Sequence, residues 1–160
     1  TKALDSLHKD IGDIDFIKID VQGAELEVLE GGKKTLLTAL GLELEVEFLE
    51  IYKGQPLFGD VCRFVSDQGF EFYDFVTEYR YGRKNLNRKG QLAFADALFL
   101  RTPEYLKDNP KIFNSKKIMK YLEIAYIYKK IDLIEVILDY FSNNKEVFDY
   151  AKELIRRGDH

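Results

Sequence analysis

The sequence predicts an α/β fold: a βαβαββ segment over residues 1–101, followed by a three-helix appendage over 102–160. Three observations predict it. Along the first hundred residues, short runs of β-type residues alternate with helical stripes, the pattern of βαβ units and a parallel sheet. The last two β-type runs have no helical stripe between them, so they are expected to pair as an antiparallel hairpin at the sheet edge. After Arg101 the pattern becomes three amphipathic stripes of helical period with short links.

Residues 4–11, LDSLHKDI, read as a short helix or turn. DFIKID, residues 15–20, reads as the first strand, with Phe16, Ile17 and Ile19 as its β-type residues. Gly23 permits a tight exit. From Ala24 to Leu40 the stripe of Leu26, Leu29, Leu36, Leu37 and Leu40 predicts one helix. Gly31 and Gly32 weaken its middle by about 1 kcal/mol each relative to alanine, and Gly41 is the expected stop. Residues 42–49, LELEVEFL, alternate strictly: Leu44, Val46 and Phe48 face one way, Glu43, Glu45 and Glu47 the other. Pro56 precedes a helix with Leu57, Val61, Phe64 and Val65 on one face, closed by Gly69. Residues 70–76 and 92–100 are the last two strands, with a polar, basic loop over 78–90 between them. TPEYLKDNP reads as a linker. Ser115 is a candidate cap for the first appended helix. Asp132 and Glu135 form a candidate capping box for the second, and Asn143 or Asn144 a cap for the third.

Composition narrows the function classes. The chain has 160 residues, 46% hydrophobic, with 12 Phe and 10 Tyr, enough to build a core. A formal net charge of -4 argues against nucleic acid as partner. No apolar run reaches the roughly 20 residues of a membrane span, and no signal pattern is visible. The single Cys62 excludes an internal disulfide and points to a cytoplasmic setting. The chain begins at Thr1 and its only methionine is Met119, so it is expected to be part of a longer product.

In open α/β sheets, ligands bind outside the carboxyl ends of the strands. Asp20 lies at such an end, where a carboxylate can accept hydrogen bonds, act as a base or hold a metal. The plainer reading is a helix cap. Glu47 lies near the carboxyl end of the second strand, with Tyr52 and Gln55 in the following loop. Lys18, Gln22, Tyr52 and Gln55 are the candidate substrate-binding residues on this rim. A central parallel strand is buried on both faces. Three glutamates on one face therefore mean a solvated edge strand or a face that other polypeptide covers. The basic loop, Arg80, Arg83, Lys84, Arg88 and Lys89 with Tyr79 and Tyr81, either grips an anion or is solvated. His8 and His160 read as surface residues and Cys62 as a core filler.

LDSL, DFIKIDVQGAELEVLEGG and the later runs ELEVEFLEIYKGQPLFGDVCRFVSDQGFEFYDF and GQLAFADALFLR resemble the FkbM family of S-adenosylmethionine-dependent methyltransferases over about residues 1–101. The K-I-D-x-x-G-A-E piece is the more specific part. The resemblance implies the C-terminal half of a class I methyltransferase sheet of Rossmann-like form, ordered 3-2-1-4-5-7-6 with strand 7 antiparallel. The four strands here would be 4 to 7. It implies Asp20 and Glu47 as catalytic residues, Asp20, Gly23 and Glu25 at the S-adenosylmethionine cleft, and a small-molecule hydroxyl, of a sugar or secondary metabolite, as methyl acceptor. Gln22 stands where the family usually has glutamate. The glycine-rich loop and the acid that hold the cofactor in this family are not among these residues. The chain alone is therefore expected to bind the cofactor weakly or not at all and to be inactive. A divalent metal on Asp20, Glu25 and Glu47 would be a second way to acidify the hydroxyl; no compact ligand motif calls for one, and none is expected.

Two other functions compete with methyl transfer. One is a noncatalytic interaction or scaffolding module that docks through its helical tail. The other is a hydrolase, for which the nucleophile elbow G-x-S-x-G is missing. With strand 15–20 at an edge, self-association edge to edge is also expected.

Overall fold

Hydrophobic alternation places β2 (Gly41–Glu47) in the middle of a four-stranded mixed sheet. Its order is β1-β2-β4-β3, with β1 Phe16–Ile19, β3 Phe70–Tyr81 and β4 Gln91–Arg101. The computed structural model describes residues 2–84 and 89–158, and of 8–11 the backbone only. The chain divides into two compact units, Thr1–Leu100 and Arg101–His160. No helix among the described residues is long and apolar enough to cross a membrane.

β1 runs parallel to β2, with Phe16 opposite Gly41 and Ile19 opposite Leu44. β4 runs antiparallel to β2, from Gly41 opposite Leu100 to Glu47 opposite Phe94. Along the β3–β4 ribbon, Phe72 meets Phe99, Thr77 bonds Asp96 and Tyr79 stacks on Phe94, so one strand's numbers rise as the other's fall. That is an antiparallel pair. The glutamate strand is therefore not an edge, and of its two readings only the face survives.

One sheet face carries Ile19, Leu42, Leu44, Val46, Ala95, Ala97 and Phe99, all buried in one cluster with Leu29, Val61 and Val65 of the helices. These helices are α2 (Glu25–Glu30) and α4 (Phe58–Asp67). Phe48, Phe58, Phe72, Phe75 and Phe99 join this side through ring contacts of 4.7–5.8 Å. Each fully buried large side chain is worth roughly 1.5–3 kcal/mol, so this face holds the sheet to its helices. Cys62 packs against the same cluster, half-buried, and burial pushes its thiol pKa up.

The helix expected over 24–40 is two. α2 ends at Gly31, and α3 (Lys33–Leu36) starts after Gly32. A side chain at Gly32 would come within 2.8 Å of Leu4, so the break lets α1 (Leu4–Ile11) approach closely. Asp5 of α1 then accepts the backbone N–H groups of Lys34 and Thr35 at 3.0 and 2.9 Å, capping α3 from outside it. Gly41, expected to stop the helix, is the first residue of β2. Glu78–Tyr81, expected as loop, extend β3. Arg88 and His160 lie outside the described residues, as does the side chain of His8.

In the second unit the expected linker is a helix, α5 (Pro103–Asp108). Thr102 caps it by accepting the Tyr105 N–H at 3.1 Å, and Pro103 fills the first turn, where no N–H is needed. The appendage thus has four helices among the described residues, with α6 (Ser115–Ile127), α7 (Ile131–Tyr140) and α8 (Lys145–Gly158). Asn114, not Ser115, caps α6. The Asp132–Glu135 box does not form, because α7 starts at Ile131 after Lys130 without a side-chain cap. Asn144 caps α8 through the Val147 N–H, as its residue type suggests. Tyr121 donates its hydroxyl to the Arg101 carbonyl at 2.5 Å inside this unit.

Gly41 lies at a tightly packed point of the sheet. A Cβ there would lie 2.8 Å from Leu100 and 2.9 Å from Phe16. Gly41→Ala is expected to cost about 1–3 kcal/mol, as overpacking does. A urea titration should show a lower midpoint with an unchanged slope.

Candidate functional site

The turn after β1 shapes the site. Gln22 and Gly23 have φ of 58° and 97°, two successive left-handed residues that reverse the chain into α2. Glycine is at ease at such an angle and glutamine is strained there. The turn is held from below by Glu25. Its carboxylate accepts the Val21 and Gly23 N–H groups, both at 2.9 Å, and the side chain is buried. The residue preceding α2 is Ala24, and it makes no side-chain cap. Asp20 is therefore not the helix cap. It is exposed at the carboxyl end of β1, and the anchoring role belongs to Glu25.

Gly23 sits beneath the β2–α4 loop. A Cβ on it would touch Tyr52 at 3.5 Å and Gln55 at 3.6 Å. The Gln55 side-chain oxygen accepts the N–H groups of Ile51 and Tyr52, which orients its amide. Its Nε2 is left buried without a hydrogen-bond partner. A buried donor with no acceptor costs about 1–3 kcal/mol, and a ligand's acceptor atom removes that cost. The structure thus brings Gly23 against Tyr52 and Gln55 of a loop distant from it in sequence.

The second sheet face is polar. Directly opposed residues of an antiparallel pair share a face, so Glu43, Glu45 and Glu47 lie on the same side as Leu98, Asp96 and Phe94. Lys18 of β1 joins this face, bonding Glu43 and lying 3.8 Å from Asp96. Its ammonium is already engaged with two acids, and the bond to Glu43 raises its pKa. Thr77 of β3 bonds Asp96 from the other side. Gln22 is exposed and contributes its backbone angle to the turn.

Glu25, Glu45 and Glu47 converge, with carboxylate oxygens within 4.8 Å of one another. Of Asp20, Glu25 and Glu47, the set a metal would have needed by the sequence reading, Asp20 is not in this cluster and Glu45 is. Carboxylates at this spacing repel, and burial makes the charge dearer. The acids relieve it by keeping a proton or by holding a cation. Burial first, then Glu25, Glu45 and Asp20, push the Glu47 carboxyl up to about 7. Glu45 is raised by burial and by Asp20, Glu25 and Asp96, with Lys18 opposing. A carboxyl that changes protonation near neutrality suits general acid–base work.

The basic stretch is less available than its composition suggests. Arg80 pairs with Glu78 at 2.8 Å and bonds the Gly90 carbonyl, and Arg83 bonds Gln91. Tyr79 and Tyr81 belong to β3. Sequence reasoning missed Asp96. Its signal was present: Asp96 is the only charged residue in the apolar run 92–100.

An acid-lined rim at the carboxyl ends of β1 and β2 is where an α/β domain holds its ligand. Residues 1–72 match the family model of the methyltransferase FkbM domain, which is consistent with an FkbM family methyltransferase. The match includes Asp20, Gly23, Glu25, Glu47, Tyr52 and Gln55. A search of the curated proteins finds no match, and neither does a search of the solved structures.

Two predictions come from these acids. Glu25→Ala orphans two N–H groups and should cost roughly 1–3 kcal/mol for each, read by denaturant titration. For Glu47 the folded carboxyl titrates near 7 and the unfolded one near 4.5. The folded state therefore binds more protons between those values, and stability should fall as pH rises from about 4.5 to 7. Thermal melts across that window should show the slope, and Glu47→Gln should flatten it.

Proposed function

We propose that this chain forms the acceptor-side rim of an S-adenosylmethionine-dependent O-methyltransferase, with Glu47 as general base. One observation carries the assignment within a methyltransferase family: a buried carboxyl at the carboxyl end of β2 whose proton affinity sits near 7. The sheet order β1-β2-β4-β3, with β4 antiparallel to β2, supports the class I reading, in which the strand inserted last is antiparallel.

The residues present fit the cofactor by charge and by hydrogen bonding. Asp20, Glu25, Glu45 and Glu47 make the rim negative, which suits a sulfonium cation. Gln55 Nε2 offers a buried unpartnered donor beside the Gly23 turn. Asp20, Gly23 and Gln55 would hold the cofactor. When bound it supplies a methyl whose carbon–sulfur bond breaks with its electron pair going to sulfur. Within this chain, Glu47 accepts the acceptor's hydroxyl proton on a side-chain oxygen, and the freed oxygen pair takes the methyl. Glu45 and Asp20 keep Glu47 basic through their charges. The Gly23–Tyr52–Gln55 contact closes the loop over the turn and narrows the access of water.

The test is methyl transfer from labelled S-adenosylmethionine by the longest natural chain that contains these residues. Glu47→Gln should lower kcat about 10²–10⁴-fold and abolish the rise of rate with pH near 7. Asp20→Asn should lower transfer far more than stability. A Glu47→Gln enzyme with normal turnover and an unchanged pH profile would assign the base elsewhere.

A further inference from the structure

β2 ends at Glu47, while the β3–β4 ribbon runs on to Tyr81 and back from Gln91. The Phe48 N–H still bonds the Ala93 carbonyl at 2.8 Å, and then the chain turns away. The departure leaves a notch of about 380 Å³ between Leu49 and Ile51 on one side and Tyr79, Tyr81 and Phe94 on the other. Its size is near the lower end of small-ligand sites, roughly 300–1,000 Å³.

Three features tie the notch to the acids. Phe94 is the cross-strand partner of Glu47, so the two share a sheet face and adjoin. Leu49 follows Glu47 by two residues on the same chain. Tyr79 stacks on Phe94 with centroids 4.4 Å apart and an interplanar angle of 17°, a flat wall on that face. Ile51 and Tyr81 are 54% and 59% exposed, an apolar lining open to a visitor. Arg80, also at the notch, spends its charge on Glu78.

We infer that the notch is the acceptor subsite and that the acceptor is a phenol-type aromatic hydroxyl, its ring against the Tyr79–Phe94 wall and its oxygen toward Glu47. The inference rests on the methyltransferase reading and narrows its substrate from any hydroxyl to an aryl one. Apolar and aromatic walls favour a planar aromatic ring over a sugar, whose hydroxyls would be desolvated there without partners. Chemistry agrees. A phenol releases its proton near pH 10, whereas an alkyl hydroxyl sits nearer water, about 15.7. A carboxylate that titrates near 7 takes the first proton far more readily. The proton passes to Glu47, and the oxygen pair becomes free for the methyl. A cavity of about 480 Å³ lined by Tyr126, Ile131 and Arg157 lies in the second unit and has no such base among its described lining residues.

The experiment measures 2-naphthol binding to the 160-residue chain by calorimetry, beside methyl glucoside and without cofactor, so that it reads the subsite and not the reaction. The chain should bind naphthol and not the glucoside. Tyr79→Leu and Ile51→Asp, on opposite walls and both at exposed positions, should each weaken naphthol about three- to tenfold while circular dichroism stays unchanged. Glu47→Gln should leave ring binding in place. Binding of the glucoside instead, binding of neither, or naphthol affinity indifferent to both wall variants would overturn the inference. Methyl transfer to a non-aromatic acceptor would overturn it too while leaving the proposed function standing. Aryl binding without any methyl transfer by the natural protein would overturn the proposed function and, with it, the acceptor role of the notch.

Discussion

The period-two alternation of β2 governs the first unit. Leu42, Leu44 and Val46 are fully buried against the helices, while Glu43, Glu45 and Glu47 occupy the opposite face. A slip of one residue would exchange the two sets and put three carboxylates into the apolar core. Burying the three apolar side chains is worth roughly 1.5–3 kcal/mol each, so the register is strongly held. The same register places the acids. Each cross-strand pair fixes one neighbour of an acid: Lys18 for Glu43, Asp96 for Glu45, Phe94 for Glu47.

Much of this was legible in the sequence because it depends on local period. The β runs and the glutamate face follow from residue type and alternation visible over six to eight residues, and the antiparallel last strand from the lack of a helical stripe before it. What escaped depends on contacts between distant residues. The break at Gly31 and Gly32 reflects the closeness of Leu4, and the cap on α3 comes from Asp5 on another helix. Thr102 and Pro103 looked like a linker because proline breaks helices inside, whereas at the first turn it starts them. In the site, the rim position of Asp20 and Glu47 could be read from strand ends. The replacement of Asp20 by Glu45 in the carboxylate cluster could not, since it needs the cross-strand geometry.

The buried acids divide their work. Glu25 is tied down by two backbone N–H groups, which hold the turn. Glu47 has neighbouring charges of its own sign and little water, which favour its neutral form. Lys18 and Glu43 pair off a short distance along the same face, so that this ion pair neutralises one end of it and leaves the other end acidic. The gradient runs along β2 from a neutral pair to an unneutralised cluster. A fold that only needed stability would not keep that cluster, because repulsion among buried carboxylates is unfavourable. Strain of this kind is tolerated where it serves a ligand or a proton.

The sheet's topology explains why the base and an aromatic wall are neighbours. If β3 lay directly beside β2, its residues would follow a helix crossover and run parallel, and its far end would carry no returning strand. Inserting β4 between them makes β3 and β4 a ribbon that outreaches β2. A ribbon beyond the end of its neighbour exposes one row of side chains to whatever occupies the gap. Here that row begins with Phe94, opposite Glu47, and continues onto Tyr79. The position where β2 stops therefore sets both the proton acceptor and the surface beside it, and a change in the length of β2 would move the two together.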